Sequence, residues 1–236
     1  MANYTSDYSF KINGVSSDNY GVFVDILEPV PHAQQRYTTG FTGSEEPFSI
    51  PDDVFEPISY SINFYKFYPD DLNDSAIRAF LASGNTLELS TTPDVYYKIL
   101  SISVSEVSQT ADNRRINYRV TFTLKPFRYG LDNDWIELSS GDTVENVGTW
   151  YSKPTIELTG TEGGFTLTCN DVEYKLTNLL ATVYIDSSRF IVYDGSNRLL
   201  IGHDEGKFPF LNVGDNTISW TGTATRVRIK TNWRYI

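Results

Sequence analysis

Along the first 130 residues, apolar and polar positions alternate with a period of two in several short runs, the signature of half-buried strands. Tyr8 to Ile12 alternates, and Asn13-Gly14 follows as a tight turn whose residues both tolerate positive φ. Val22, Val24 and Ile26 alternate again, which predicts a hairpin-like opening. Glu28 to Pro57 is polar and rich in Gly and Pro, and Thr38 to Glu46 has no burial pattern, so a long functional loop is expected. Ile58, Tyr60, Ile62 and Phe64 resume the strand rhythm. Asp70 to Gly84 reads as a helix: Asn73 or Asp74 caps it, Ile77, Phe80 and Leu81 share a face, and Gly84 closes it. Strands follow at Leu87 and Leu89, Tyr96 to Leu100 and Ile102 to Val107. Ile116 to Leu124 is the cleanest, with five apolar residues on one face, and Pro126 ends it. A sheet with one helix makes this half a small α+β domain.

The second half reads as all β. Val144 to Gly160 is its entrance: Asn146, Gly148 and Pro154 constrain the backbone, with Gly148 permitting positive φ, and the strand Thr155 to Leu158 follows. Phe165 to Cys169 and Val172 to Leu176 flank the two-residue turn Asn170-Asp171. Val183 to Ile185, Phe190 to Tyr193, Leu199 to Ile201, Ile218 to Trp220 and Val227 to Lys230 are further strands, and Thr161 to Gly164 reads as a turn. Short strands at this spacing predict a β-sandwich. The boundary falls between domains 1–130 and 131–236, and the overall class is mainly β.

Composition supports this reading. The 236 residues include 16 Tyr and 14 Phe but one Met, a balance that favours strands. The formal charge is −11. Up to Gly130 there are 10 basic and 16 acidic residues, and beyond it 9 and 14, so both halves are acidic. Such a surface repels nucleic-acid phosphates and anionic membranes. No secretory leader pattern or membrane-length apolar run appears, so synthesis in a cytoplasm is expected.

Candidate chemistry is sparse. Cys169 is the single cysteine and alternates with Phe165 and Leu167 on one face, which reads as a buried structural thiol. His32 and His203 fall in different predicted domains, and no G-x-S-x-G elbow or phosphate loop accompanies them. One Cys and two separated His are too few for structural zinc. Asp52-Asp53, Asp70-Asp71 and Asp204-Glu205 are acidic pairs without EF-hand spacing, better read as solvated carboxylates than as a calcium site or glycosidase pair. Trp135, Trp150, Tyr151 and Trp233 suit core or interface anchoring; exposed, they would suit a carbohydrate-binding adhesion module, the alternative reading. No catalytic residue, metal ligand or cofactor site is assigned, and an assembly role remains.

Several motifs, in order, resemble the distal tail proteins of long-tailed siphophages that infect Gram-positive bacteria. Phe10 to Val22 resembles that family's opening strand and turn; Tyr96 to Leu100 and Leu124 to Phe127 resemble later strands of its first domain. Asn146 to Pro154 is similar to the segment leading into the second domain, and Val183 to Asp186 and Phe208 to Asn216 fit that domain's pattern. The resemblance implies an N-terminal ring-forming belt domain, a sheet or split barrel with one helix, followed by a galectin-like β-sandwich. It further implies a homo-hexameric ring at the virion tail tip. The ring joins the tail tube protein to the tail-tip protein, carries receptor-binding or baseplate proteins outside, and passes DNA through its lumen without specific binding or membrane insertion. On this reading Gly40, Phe41 and Gly43, with Tyr60 and Phe64, are expected at assembly contacts; Asn146, Gly148, Trp150, Tyr151 and Pro154 are expected at the domain junction. The second half has residues for a bare sandwich of roughly 100 residues, so an inserted carbohydrate-binding module is not expected.

Overall fold

A computed structural model describes residues 7–40, 48–67, 74–109 and 115–236. The chain is mainly β and divides into two compact units, Met1–Tyr129 with Ile236, and Gly130–Tyr235.

The first unit contains β1 (Phe10–Ile12), β2 (Val15–Ser16), β3 (Phe23–Val24), β4 (Gln35–Gly40), β5 (Phe48–Phe55), β6 (Ile58–Phe67), helix α1 (Asp74–Ala82), β7 (Thr86–Leu89), β8 (Thr92–Gln109) and β9 (Arg115–Gly130). Asn13 and Gly14, at φ 51 and 78, form the expected two-residue turn, pairing Ile12 with Val15. The main sheet runs β2-β1-β7-β8-β9-β6-β3. Its centre is an unbroken antiparallel ladder from Ile58 opposite Leu124 to Phe67 opposite Arg115. Alternation along β6 and β9 sends Ile58, Ile62, Val120, Phe122 and Leu124 into one core. There α1 adds Ile77, Phe80 and Leu81, each burial worth about 2 kcal/mol. Asn73 lies outside the described residues. Gly84 follows the helix without the positive φ of a glycine cap; its N–H donates to the Leu81 carbonyl at 3.2 Å, and a β-carbon there would stand 2.5 Å from Ile102 Cδ1.

Two expectations need correction here. The strand expected at Val22 to Ile26 is only Phe23–Val24, which pairs with the end of β6 and bridges Tyr8 through Val24, and Ile26 beyond it is 52% exposed. The loop expected from Glu28 to Pro57 contains the antiparallel ribbon of β4 and β5, from Gln35 opposite Phe55 to Gly40 opposite Phe48. A two-stranded ribbon outside the main sheet needs no continuous apolar face, so period-two alternation does not reveal it.

The second unit contains β10 (Ile136–Leu138), β11 (Asp142–Asn146), β12 (Thr155–Cys169), β13 (Val172–Asp186), β14 (Ile191–Asp194), β15 (Asp204–Gly206), β16 (Gly214–Thr223), β17 (Arg226–Lys230) and β18 (Arg234–Tyr235). β12 and β13 form one long hairpin closed by Asn170-Asp171, at φ 49 and 64. Its open end pairs with β17 and β14, its closed end with β16 and β15. The two ends thus belong to two layers, which share one core that includes Ile156, Leu158 and Ile229 with Phe165, Leu167 and Ile218. Thr161 to Gly164, expected as a turn, instead lies inside β12. Gly160 and Gly163 take φ 67 and 75, and the ladder shifts register there, so the strand bends without ending. Leu199 to Ile201 is not a strand either. Leu199 bridges Tyr193, and Ile201, 85% exposed, begins a turn.

Candidate assembly surfaces

The isolated reactive groups serve the fold. Cys169 donates its S–H to the Phe210 carbonyl at 3.2 Å, and burial pushes its thiol up to about 11. Asp204 accepts the Tyr174 hydroxyl at 2.8 Å. The His203 ring lies 2.9 Å from the Thr177 carbonyl through Nδ1, and His32 is exposed in the other unit. Among the described residues, no three His, Cys, Asp or Glu converge on a possible metal position. The side chains of Asp52-Asp53 and all of Asp70-Asp71 lie outside the description.

Of the residues expected at assembly contacts, Gly40 ends β4 opposite Phe48, while Phe41 and Gly43 lie outside the described residues. Tyr60 and Phe64 are core residues, 4% and 2% exposed, because the even positions of β6 face inward. Tyr60 donates its hydroxyl to the Glu28 carbonyl at 2.8 Å. Burial foremost, then Tyr97 and Glu28, pushes its hydroxyl up to about 12. Phe64 stacks on Tyr118 at 5.1 Å.

The odd positions of β6 form the outward face instead. Phe23, Tyr65 and Phe67 cluster there with ring centroids 5.4 to 5.6 Å apart, and Phe67 is 44% exposed. The Arg115 guanidinium lies 4.0 Å over the Tyr65 ring. β6 and β9 contain no acidic residue, so the carboxylates of this unit sit off its central ladder. A second surface is the edge of β8. β7 pairs with it only from Thr92 to Lys98, leaving the rest of that edge without a strand partner among the described residues. Leu100, Val104 and Val107, at 51%, 37% and 45% exposure, lie on this stretch. The sequence hints at the first surface, where polar positions of β6 give way to Tyr65 and Phe67; the second rests on β8 being one long strand where two, Tyr96 to Leu100 and Ile102 to Val107, were expected.

In the second unit, the expected junction residues form an internal brace. Asn146 is buried; its Nδ2 donates to the carbonyls of Trp150 and Leu211, each at 3.1 Å, and its Oδ1 accepts Gly148 N–H at 2.9 Å. The backbone N–H groups of Thr149 and Trp150 both donate to the Arg234 carbonyl. Arg234 caps the Tyr151 carbonyl through Nε at 2.7 Å and again through Nη2, with its guanidinium 4.4 Å over the Tyr151 ring. The Pro154 carbonyl accepts Ser187 N–H at 3.1 Å. The chain passes between units at Tyr129–Gly130, so Asn146 to Pro154 lies wholly inside the second unit and is not the connector.

The fold matches that of a solved structure. The crystal structure of the SPP1 Dit (gp 19.1) protein, described as a paradigm of the hub adsorption apparatus in phages infecting Gram-positive bacteria, superposes with a TM-score of 0.64. The match covers 97% of this chain and 99% of that one, at 10% identity. The chain has the Dit fold. No family model and no curated protein matches the sequence. At this identity, the shared Dit architecture is carried by burial pattern and strand pairing rather than by residue identity.

Proposed function

We propose that the chain is a structural, non-enzymatic hub subunit of a phage tail tip. Six copies close into a ring that joins the distal end of the tail tube to the tip and host-adhesion apparatus, leaving a channel for DNA. The observation that carries this reading is the near end-to-end correspondence with a hub protein: both units are matched, in one chain, with little left over on either side. A ring requires two different surfaces per subunit that meet head to tail. The first unit has suitable features in the open β8 edge and the Phe23–Tyr65–Phe67 cluster, since an unpaired edge is a template for another chain. The β4–β5 ribbon reaches a neighbour or the tube, with Gly40, Phe41 and Gly43 at its contacts. The second unit is a galectin-like sandwich facing outward, where other baseplate proteins attach. Among the described residues no helix is long and apolar enough to cross a membrane, and none is required.

Light scattering and negative-stain electron microscopy of the purified protein test this directly. Six chains of 26.7 kDa give a particle of about 160 kDa with six-fold symmetry. A strictly monomeric protein that also fails to bind tail-tube and tail-tip partners overturns it.

A further inference from the structure

β10 and β11 are consecutive strands in different layers of the second unit. Among the described residues, β10 pairs with β17 and β11 with β16, each on one side only. Each therefore leaves alternate backbone N–H and C=O groups without a ladder partner.

The two edges flank one groove of about 300 Å³. All of β10 lines it, with Asp142 to Glu145 of β11 and Trp233. Successive strand residues point to opposite faces. A groove touched by every consecutive residue therefore runs along the strand backbones rather than over a sheet face. Its floor is apolar, with Leu138 and Val144 buried and Trp233 packed on the core. Its rim carries Glu137, Asp142 and Glu145, all exposed. Asp142 accepts Ser139 N–H at 2.7 Å, whereas Glu137 and Glu145 make no ion pair among the described residues.

We propose that this groove takes an extended segment of a partner polypeptide, laid along one edge as an added strand. Its apolar side chains rest on Leu138, Val144 and Trp233, and its alternate, cationic ones lie beside Glu137 and Glu145. The open backbone selects a polypeptide, because only another strand returns N–H and C=O groups in register. The carboxylate rim selects a basic one, and the net charge of −11 disfavours a second copy of this chain. The proposal stands on the second unit alone and does not depend on the ring.

The test uses the full chain and a blocked heptapeptide, Lys-Val-Lys-Val-Lys-Val-Lys, with its Glu-Val counterpart as control, in 0.15 M salt. Hydrogen exchange is expected to slow about tenfold in Ile136–Leu138 or Asp142–Asn146 with the lysine peptide and not with the glutamate one. The double variant Glu137→Lys/Glu145→Lys, at two exposed positions and checked for unchanged melting, is expected to bind the lysine peptide about tenfold more weakly. Absence of protection in these two strands, or protection indifferent to peptide charge and to the charge reversal, overturns the proposal.

Discussion

Gly148 sits against the backbone of Arg234: a β-carbon on the glycine would stand 2.5 Å from the Arg234 carbonyl oxygen and 2.9 Å from Asn146 Oδ1. Its φ is not positive, so this glycine is required by proximity rather than by backbone conformation. The carbonyl it faces also holds Thr149 N–H and Trp150 N–H and cannot retreat without losing both. Gly148→Ala is expected to cost about 2 kcal/mol, and Gly148→Val more, in chemical denaturation of the second unit. Unchanged midpoints in both variants would show that the contact relaxes freely.

Asn146 satisfies three backbone groups from inside the protein. Asn146→Leu keeps the volume but strands two carbonyls and one N–H. A loss of about 3 kcal/mol is expected. Asn146→Asp keeps the acceptor but sets an unpaired buried carboxylate against the same two carbonyls, so it is expected to cost more than Leu at neutral pH. The ordering wild type, Leu, Asp in urea midpoints at neutral pH is the measurement.

Glu157 is 3% exposed and accepts from Arg228 at 2.5 Å, Arg226 at 3.4 Å and the Thr159 hydroxyl at 3.1 Å. Removing its charge leaves the Arg228 guanidinium, whose Nε has no hydrogen-bond partner among the described residues, without its counter-ion. Glu157→Gln is expected to destabilise by about 3 kcal/mol. Because the pair is shielded, that difference is expected to persist between 0.05 and 1 M NaCl. A difference that vanishes in high salt would mark the cluster as a surface pair.

Burial foremost pushes the Tyr60 hydroxyl up to about 12 in the folded chain, from the ordinary tyrosine value of about 10. Below pH 10 both states hold the proton, and the hydroxyl's contribution is fully present. As pH rises from 10 to 12 the unfolded chain releases the proton first, so stability declines across that window. Tyr60→Phe is expected to lose about 1 kcal/mol at neutral pH, through the Glu28 carbonyl, but to decline less steeply between pH 10 and 12. Parallel declines would assign the alkaline loss to other tyrosines.

Strands that bury one face were legible in the sequence, because their alternation is a direct record of the core: Ile58 to Phe64 and Ile116 to Leu124 pair in register along their length. The turns at Asn13-Gly14 and Asn170-Asp171 were legible for the same local reason, since their side chains tolerate positive φ. The bend in β12 was not. A glycine pair looks the same in a turn as in a bulge, and only the continuing partner strand distinguishes them. Tyr60 and Phe64 are expected at assembly contacts, yet parity along β6 assigns them to the interior and Tyr65 and Phe67 to the surface. The brace around Asn146 depends on Leu211 and Arg234, over sixty residues away, which no local pattern announces.

The bent hairpin of β12 and β13 has a consequence for how the second unit comes apart. Each of its strands contributes to both layers, so neither layer can melt while the other keeps its hydrogen bonds. The layers also share Ile156 and Leu158 with Phe165 and Leu167 along a single strand. Opening is therefore all-or-none.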